Sequence, residues 1–103
     1  MSDKRKEQGD LKTVPKDEVE EPGKYKVLLL NDHYTTMEFV VEVLRTVFRQ
    51  TPAQATRVML HIHNSGVGVA GTYTKDVAET RMEQALAMAR DQGHPLECML
   101  EPE

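Results

Sequence analysis

A chain of 103 residues with a net charge of −4 has the size of one domain, and its interspersed charges form no basic stripe of the kind nucleic-acid binding requires. No apolar run approaches the roughly 18–20 residues of a membrane span, and the N-terminal charges are not followed by an apolar h-region, so neither a membrane segment nor a secretory signal is expected. The single cysteine, Cys98, rules out an internal disulfide and fits a reducing compartment, so a cytoplasmic domain is expected.

Residues 1–24 carry six Lys or Arg, seven Asp or Glu and two Pro, with only Met1, Leu11, Val14 and Val19 apolar. Such a segment buries too little surface to offset an ordering cost of about 1–2 kcal/mol per residue. It is expected to be a flexible tail, leaving residues 25–103 as a small folded core.

From there the elements follow in order. Tyr25–Leu30, rich in Val and Leu, predicts a buried strand. Thr35-x-x-Glu38 matches a capping box, and the helix it opens has an apolar stripe at Met37, Val40, Val41, Leu44 and Phe48, ending near Gln50. Thr51-Pro52-Ala53-Gln54 is a second capping box with proline at the first helical position. Its helix has a stripe of Ala55, Val58, Met59 and Ile62 and stops at Asn64-Ser65-Gly66. Val67–Tyr73 predicts a strand, and Thr74 is placed to cap a third helix with Ala78, Met82, Ala85, Leu86 and Ala89 on one face, closed by Gly93. Leu96–Leu100 alternates as a last strand. The order β-α-α-β-α-β, with so few strands, implies helices packed on one sheet face: an α+β, two-layer sandwich.

Several patterns are weaker than they look. Gly66-Val67-Gly68-Val69-Ala70-Gly71 matches G-x-G-x-x-G, but a helix precedes it and a strand follows, the reverse of what pyrophosphate binding needs. Glycines that end a helix, bend a strand or admit a close neighbour explain it better. His61 and His63 are two apart on a helix and point to different faces, and His94 and Cys98 lack partners for a tetrahedral set, so no metal or other cofactor is expected. Ser65 near His63 in sequence is not a catalytic geometry, and no nucleophile with an evident base appears, so an enzyme is not expected.

The seam Asn31-Asp32-His33 is the unusual feature, because three hydrogen-bonding side chains separate two apolar elements. Turn chemistry alone would account for it. The alternative combines it with the second helix, where Met59, Ile62 and His63 share a side at i, i+3 and i+4, while Met37 and Val40 lie together on the first helix. A cavity between these helices would have an apolar floor and a mouth bearing an amide, a carboxylate and an imidazole. It would suit a ligand with a hydrophobic body and a cationic head.

The segments "YKVLLLNDHYTTMEFVVEVL", "ATRVMLHIHNSGVGVAGTYTKDVAET" and "HPLECMLE" resemble the ClpS adaptors of the bacterial N-degron pathway, and the likeness runs from about Tyr25 to Glu101. The resemblance implies three helices on a three-stranded antiparallel sheet. It also implies a non-enzymatic adaptor that binds polypeptides beginning with Leu, Phe, Tyr or Trp. These are passed to a ClpA-type Hsp100 unfoldase for degradation by ClpP, with the N-terminal tail serving as an extension the unfoldase can engage. By the same resemblance Asn31, Asp32 and His63 contact the substrate's α-amino group. Thr35, Met37, Val40, Met59, Ile62 and Leu96 line the side-chain pocket, with Met37 as a gate against β-branched residues. Asp76, Glu79 and Arg81 belong to the unfoldase-binding face.

This chain departs from the family pattern at two positions: His33 stands where an acidic residue is usual, and Thr36 where proline is usual. Losing a carboxylate near a cationic amine weakens attraction, and losing proline at the first helical position loosens the loop. A regulator that docks on the unfoldase with narrowed or lost N-degron binding is therefore the nearest rival reading. A general interaction module, like the related C-terminal domain of the ribosomal stalk protein, would lack the Asn-Asp and His pairing.

Overall fold

The structure, a computed structural model, describes residues 23–103. The tail expected over residues 1–24 lies outside these except for Gly23 and Lys24, and Lys24 already opens the first strand. The elements are β1 (Lys24–Leu30), α1 (Met37–Thr46), α2 (Pro52–Ser65), β2 (Val67–Thr74), α3 (Lys75–Asp91) and β3 (Glu97–Pro102). They form an α+β sandwich of three helices and a three-stranded sheet ordered β2-β1-β3, with β1 antiparallel to both neighbours.

The central strand owes its place to its own alternation. Val27 and Leu29 are fully buried under the helices, whereas Lys26, Leu28 and Leu30 alternate onto the opposite face. The strand is thus buried on one side only, and Lys26 on the open side lies 3.8 Å from Glu101 of β3. The helices cover the inner face with Phe39, Val43 and Leu44 of α1 and with Ala55 and Ile62 of α2. Ala78, Ala85 and Ala89 of α3 complete the core, and these small side chains let α3 lie close to the sheet. His94, beyond α3, stacks on Phe39 with ring centroids 4.2 Å apart.

Local chemistry corrects some expected boundaries. Thr36, not Thr35, caps α1: its hydroxyl accepts the Phe39 amide at 3.1 Å, because the Thr35 hydroxyl is already donated to Asp32. The capping box expected at Thr35 and Glu38 is therefore absent. Helix α1 stops at Thr46 rather than Gln50, and Arg49 then takes a left-handed φ of 59° as the chain turns back. The box at Thr51 and Gln54 forms in both directions, with Pro52 at the first helical position. Thr74 occupies the cap position of α3 but its side chain makes no capping bond. β3 starts at Glu97 and runs to Pro102, leaving Leu96 buried just before it.

The glycines of the Gly66–Gly71 segment serve packing and turns. Gly66 ends α2 at φ 92°. A β-carbon on Gly68 would sit 2.6 Å from Ile62 Cγ1, so α2 can approach β2 only over a hydrogen. Between Val27 and Leu28 the register skips Ala70, a bulge whose carbonyl is taken by Gln50 Nε2 at 2.9 Å. The helix-before, strand-after context excludes a pyrophosphate loop here.

The contact at Gly68 makes a direct prediction. Gly68→Ala forces Ile62 aside in a close-packed core and is expected to cost about 1–3 kcal/mol, read as a lower urea midpoint at unchanged slope. An unchanged midpoint would show that Ile62 yields without strain.

Candidate functional site

The seam and the second helix meet because the chain between α2 and β2 is one residue long. Gly66 carries it from helix to strand, and Val67 pairs at once with Leu30, the last residue of β1. The end of β1 is thereby set beside the end of α2. The Asn31 amide donates to the Gly66 carbonyl at 2.9 Å, and the Gly66 amide donates to Ile62 O at 2.8 Å, so the two ends are stitched together. His63, in the last turn of α2, comes to the same place as Asn31 and Asp32.

Asp32 organises the loop into α1. Its Oδ1 accepts the amides of Tyr34 at 2.7 Å and Thr35 at 2.6 Å, and its Oδ2 accepts the Thr35 hydroxyl at 2.7 Å. This is the Asx-type turn that an aspartate ahead of a threonine favours. Burial pushes the Asp32 carboxyl up, but the bonds from Thr35 and Tyr34 and the nearby His33 outweigh it and hold the group below its ordinary value. Three of roughly four acceptor positions of the carboxylate are thus occupied within the loop. Asp32 keeps a fixed negative charge at the mouth, with one oxygen position left over. Among the described residues no hydrogen bond engages the Asn31 side-chain amide or the His63 ring.

These groups rim a cavity of about 340 Å³ between the loop, α1 and α2. Thr35, Met37, Val40, Met59 and Ile62 form its wall and floor, and Asn31, Asp32, His33 and His63 stand at it as well. Every residue expected there is brought together except Leu96, which is buried in the core and does not line the cavity. His33 is the addition to the expected lining; its place in the seam and its departure from the family pattern are its signals in the sequence. Chemically the site offers an apolar slot, a fixed negative charge, and an amide oxygen and an imidazole nitrogen able to accept from a cation, the latter only while neutral.

Thr36 also changes meaning. As the N-cap it supplies a hydroxyl that proline could not, a bond of about 1 kcal/mol for a helix start, so it fixes the loop rather than loosening it.

The third group of expected residues is split. Asp76 and Glu79 are exposed on α3, at the edge of a shallow groove of about 830 Å³ that also includes Met82 and Leu100. Arg81 turns the other way, donating from Nη1 to the Val47 carbonyl at 3.2 Å and lying 5.9 Å from the Tyr73 ring centre. It ties α3 to the end of α1. Among the described residues no three His, Cys, Asp or Glu converge as a metal site. Burial pushes the Cys98 thiol up to about 12, so it is a packing residue and not a nucleophile. His61 Nδ1 and Ser65 Oγ are 3.5 Å apart on the surface of α2, and among the described residues no third group orients them as in a catalytic triad. No helix among the described residues is long and apolar enough to cross a membrane.

Known proteins share this fold. Residues 20–99 match the family model of the ATP-dependent Clp protease adaptor protein ClpS. An ATP-dependent Clp protease adapter protein ClpS of Desulfatibacillum aliphaticivorans is 54% identical over 98% of this chain and 97% of its own length. One from Maricaulis maris is 52% identical over 90% of this chain and 85% of its own. The structure of Agrobacterium tumefaciens ClpS2 bound to L-phenylalaninamide superposes with a TM-score of 0.77 at 42% identity, covering 81% of this chain and all of that one. With the family model matched over residues 20–99 and a relative 54% identical over nearly the whole of both chains, the chain belongs to the ClpS family of Clp protease adaptors.

Proposed function

We propose that this chain is a non-enzymatic adaptor that binds polypeptides beginning with Leu, Phe, Tyr or Trp and presents them to a ClpA-type Hsp100 unfoldase for degradation by ClpP. One observation carries the reading: an apolar-floored cavity of about 340 Å³ with Asn31, Asp32 and His63 at its mouth. L-phenylalaninamide, the ligand of the Agrobacterium relative, has the two features such a site selects, an aromatic side chain and a free α-amine. Burying a Leu or Phe side chain contributes about 1.5–3 kcal/mol, and each hydrogen bond to the ammonium about as much. Against an association cost of at least about 4 kcal/mol, one such side chain and three such bonds give an affinity that reaches about micromolar. The reading as a docking regulator without N-degron binding is not favoured, because the cavity and its mouth are complete despite His33 and Thr36.

For the unfoldase, Asp76 and Glu79 are the contacts we favour, since both stand exposed on the outer side of α3. Arg81 supports that face from beneath through Val47.

The direct test is fluorescence anisotropy with a Leu-initiated peptide, free and Nα-acetylated. Acetylation removes the cation and leaves the acceptors poorly paired, so affinity is expected to fall at least about a hundredfold. Equal binding of the two forms would refute amine capture. Met37→Ala is expected to admit peptides beginning with Ile or Val, because the gate is steric; unchanged selectivity would remove Met37 from that role. Asp32 makes a third prediction. Its folded pKa is depressed, so its support of the turn is present above about 3.9, the unfolded value, and is lost as pH falls through the lower folded value. The amide resonances of Tyr34 and Thr35 should report one shared midpoint below about 3.9, and a midpoint above it would show that burial outweighs the hydrogen bonds.

A further inference from the structure

The cavity that takes the first residue is not alone between α1 and α2. A second depression of about 400 Å³ is lined by Met37, Glu38, Val41 and Met59. Met37 and Met59 belong to both, so a wall one side chain thick separates them. Val41 and Met59 are half-buried and Met37 is 41% exposed, which leaves apolar surface open beside the mouth. Nothing in the capture of an N-terminal residue uses this space.

The visitor follows from chain geometry. A polypeptide whose first side chain is held in the slot leaves it as an extended segment. Its side chains alternate, so the second points away and the third returns to the same face roughly 6.5–7 Å further on. Adjacent cavities divided by one layer of side chains lie on that length scale. The methionines that divide them are unbranched and adapt to differently shaped apolar groups. Glu38, exposed at the rim, disfavours an acidic side chain there.

We propose that the depression between Met37, Val41 and Met59 is a second substrate subsite, which takes an uncharged apolar side chain from the third residue of the bound polypeptide. This rests on the adaptor reading above and narrows its substrate class: among chains with the same first residue, those with Leu, Met or Phe third are captured preferentially. Contacts at two points also lengthen the residence of a substrate before hand-over, because added apolar contact acts chiefly on dissociation.

The test uses the full chain and peptides beginning Leu-Ala-Ala, Leu-Ala-Leu, Leu-Leu-Ala, Leu-Ala-Glu and Leu-Ala-Lys, labelled at their far ends and followed by anisotropy at low salt. Leu-Ala-Leu is expected to bind about fivefold tighter than Leu-Ala-Ala, the effect of partly burying one aliphatic side chain. Leu-Leu-Ala should match Leu-Ala-Ala, and Leu-Ala-Glu should bind about twofold to threefold more weakly than Leu-Ala-Lys. Val41→Glu is expected to erase the advantage of Leu-Ala-Leu. Glu38→Lys, a change at an exposed position that leaves folding intact, should reverse the order of Leu-Ala-Glu and Leu-Ala-Lys. Equal affinity for Leu-Ala-Ala and Leu-Ala-Leu, with both bound, overturns the subsite and leaves the adaptor reading standing. A preference that follows the second residue overturns the assignment of the occupant. Failure of every peptide to bind overturns the adaptor reading and the subsite together.

Discussion

The site exists because one residue joins α2 to β2. Gly66, at φ 92°, reverses the chain without a loop, and Val67 falls directly into register with Leu30. A side chain at position 66 would strain that left-handed turn, and a longer connection would let the end of the helix drift from the end of the strand. The bond from the Asn31 amide to Gly66 closes the arrangement. Residues far apart in the chain, Asn31 and His63, thus share one cavity mouth through backbone geometry, before any side chain acts.

Asp32 divides the labour at that mouth. Its oxygens are spent on Tyr34 and Thr35, so its charge is delivered at a fixed point while its hydrogen bonds hold the loop. Binding then need not order the loop, and the entropy cost of association falls accordingly. Under the proposed reading, direct acceptance of a ligand proton passes to Asn31 and His63. The resemblance implies contact with the amine by all three residues. The geometry makes Asp32 first a positioning group and only second, through its remaining oxygen position, a contact.

Much of this was legible in the sequence. The apolar stripes of Met37–Leu44 and Ala55–Ile62 have the right period for helices facing a sheet, and Thr51-Pro52-Ala53-Gln54 carries its capping mechanism in its own side chains. The seam was visible because polar residues interrupted two apolar runs. The start of α1 was misplaced because two adjacent threonines could each cap it. A local choice that the apolar period does not show, the Thr35 hydroxyl turning back to Asp32 three residues earlier, decides between them. Leu96, placed in the pocket by the resemblance, lies in the core instead, because its neighbourhood depends on where β3 pairs with β1, which periodicity over so few residues does not determine. Arg81 joins Asp76 and Glu79 on the resemblance alone, and its side chain donates instead to a carbonyl at the end of α1. The bulge at Ala70 left no signal beyond flanking glycines.

The central position of β1 also has a mechanical side. The strand begins at Lys24 and is held along its length by ladders to β2 on one side and β3 on the other, and the Glu103 amide clasps the Lys24 carbonyl at 2.9 Å. Ladder bonds lie perpendicular to the strands, so tension entering ahead of Lys24 and directed along β1 loads both rows in shear at once instead of opening them one bond at a time. A machine that hauls on this end of the chain meets the domain along its most resistant line, a favourable property for a carrier that must release its cargo and survive.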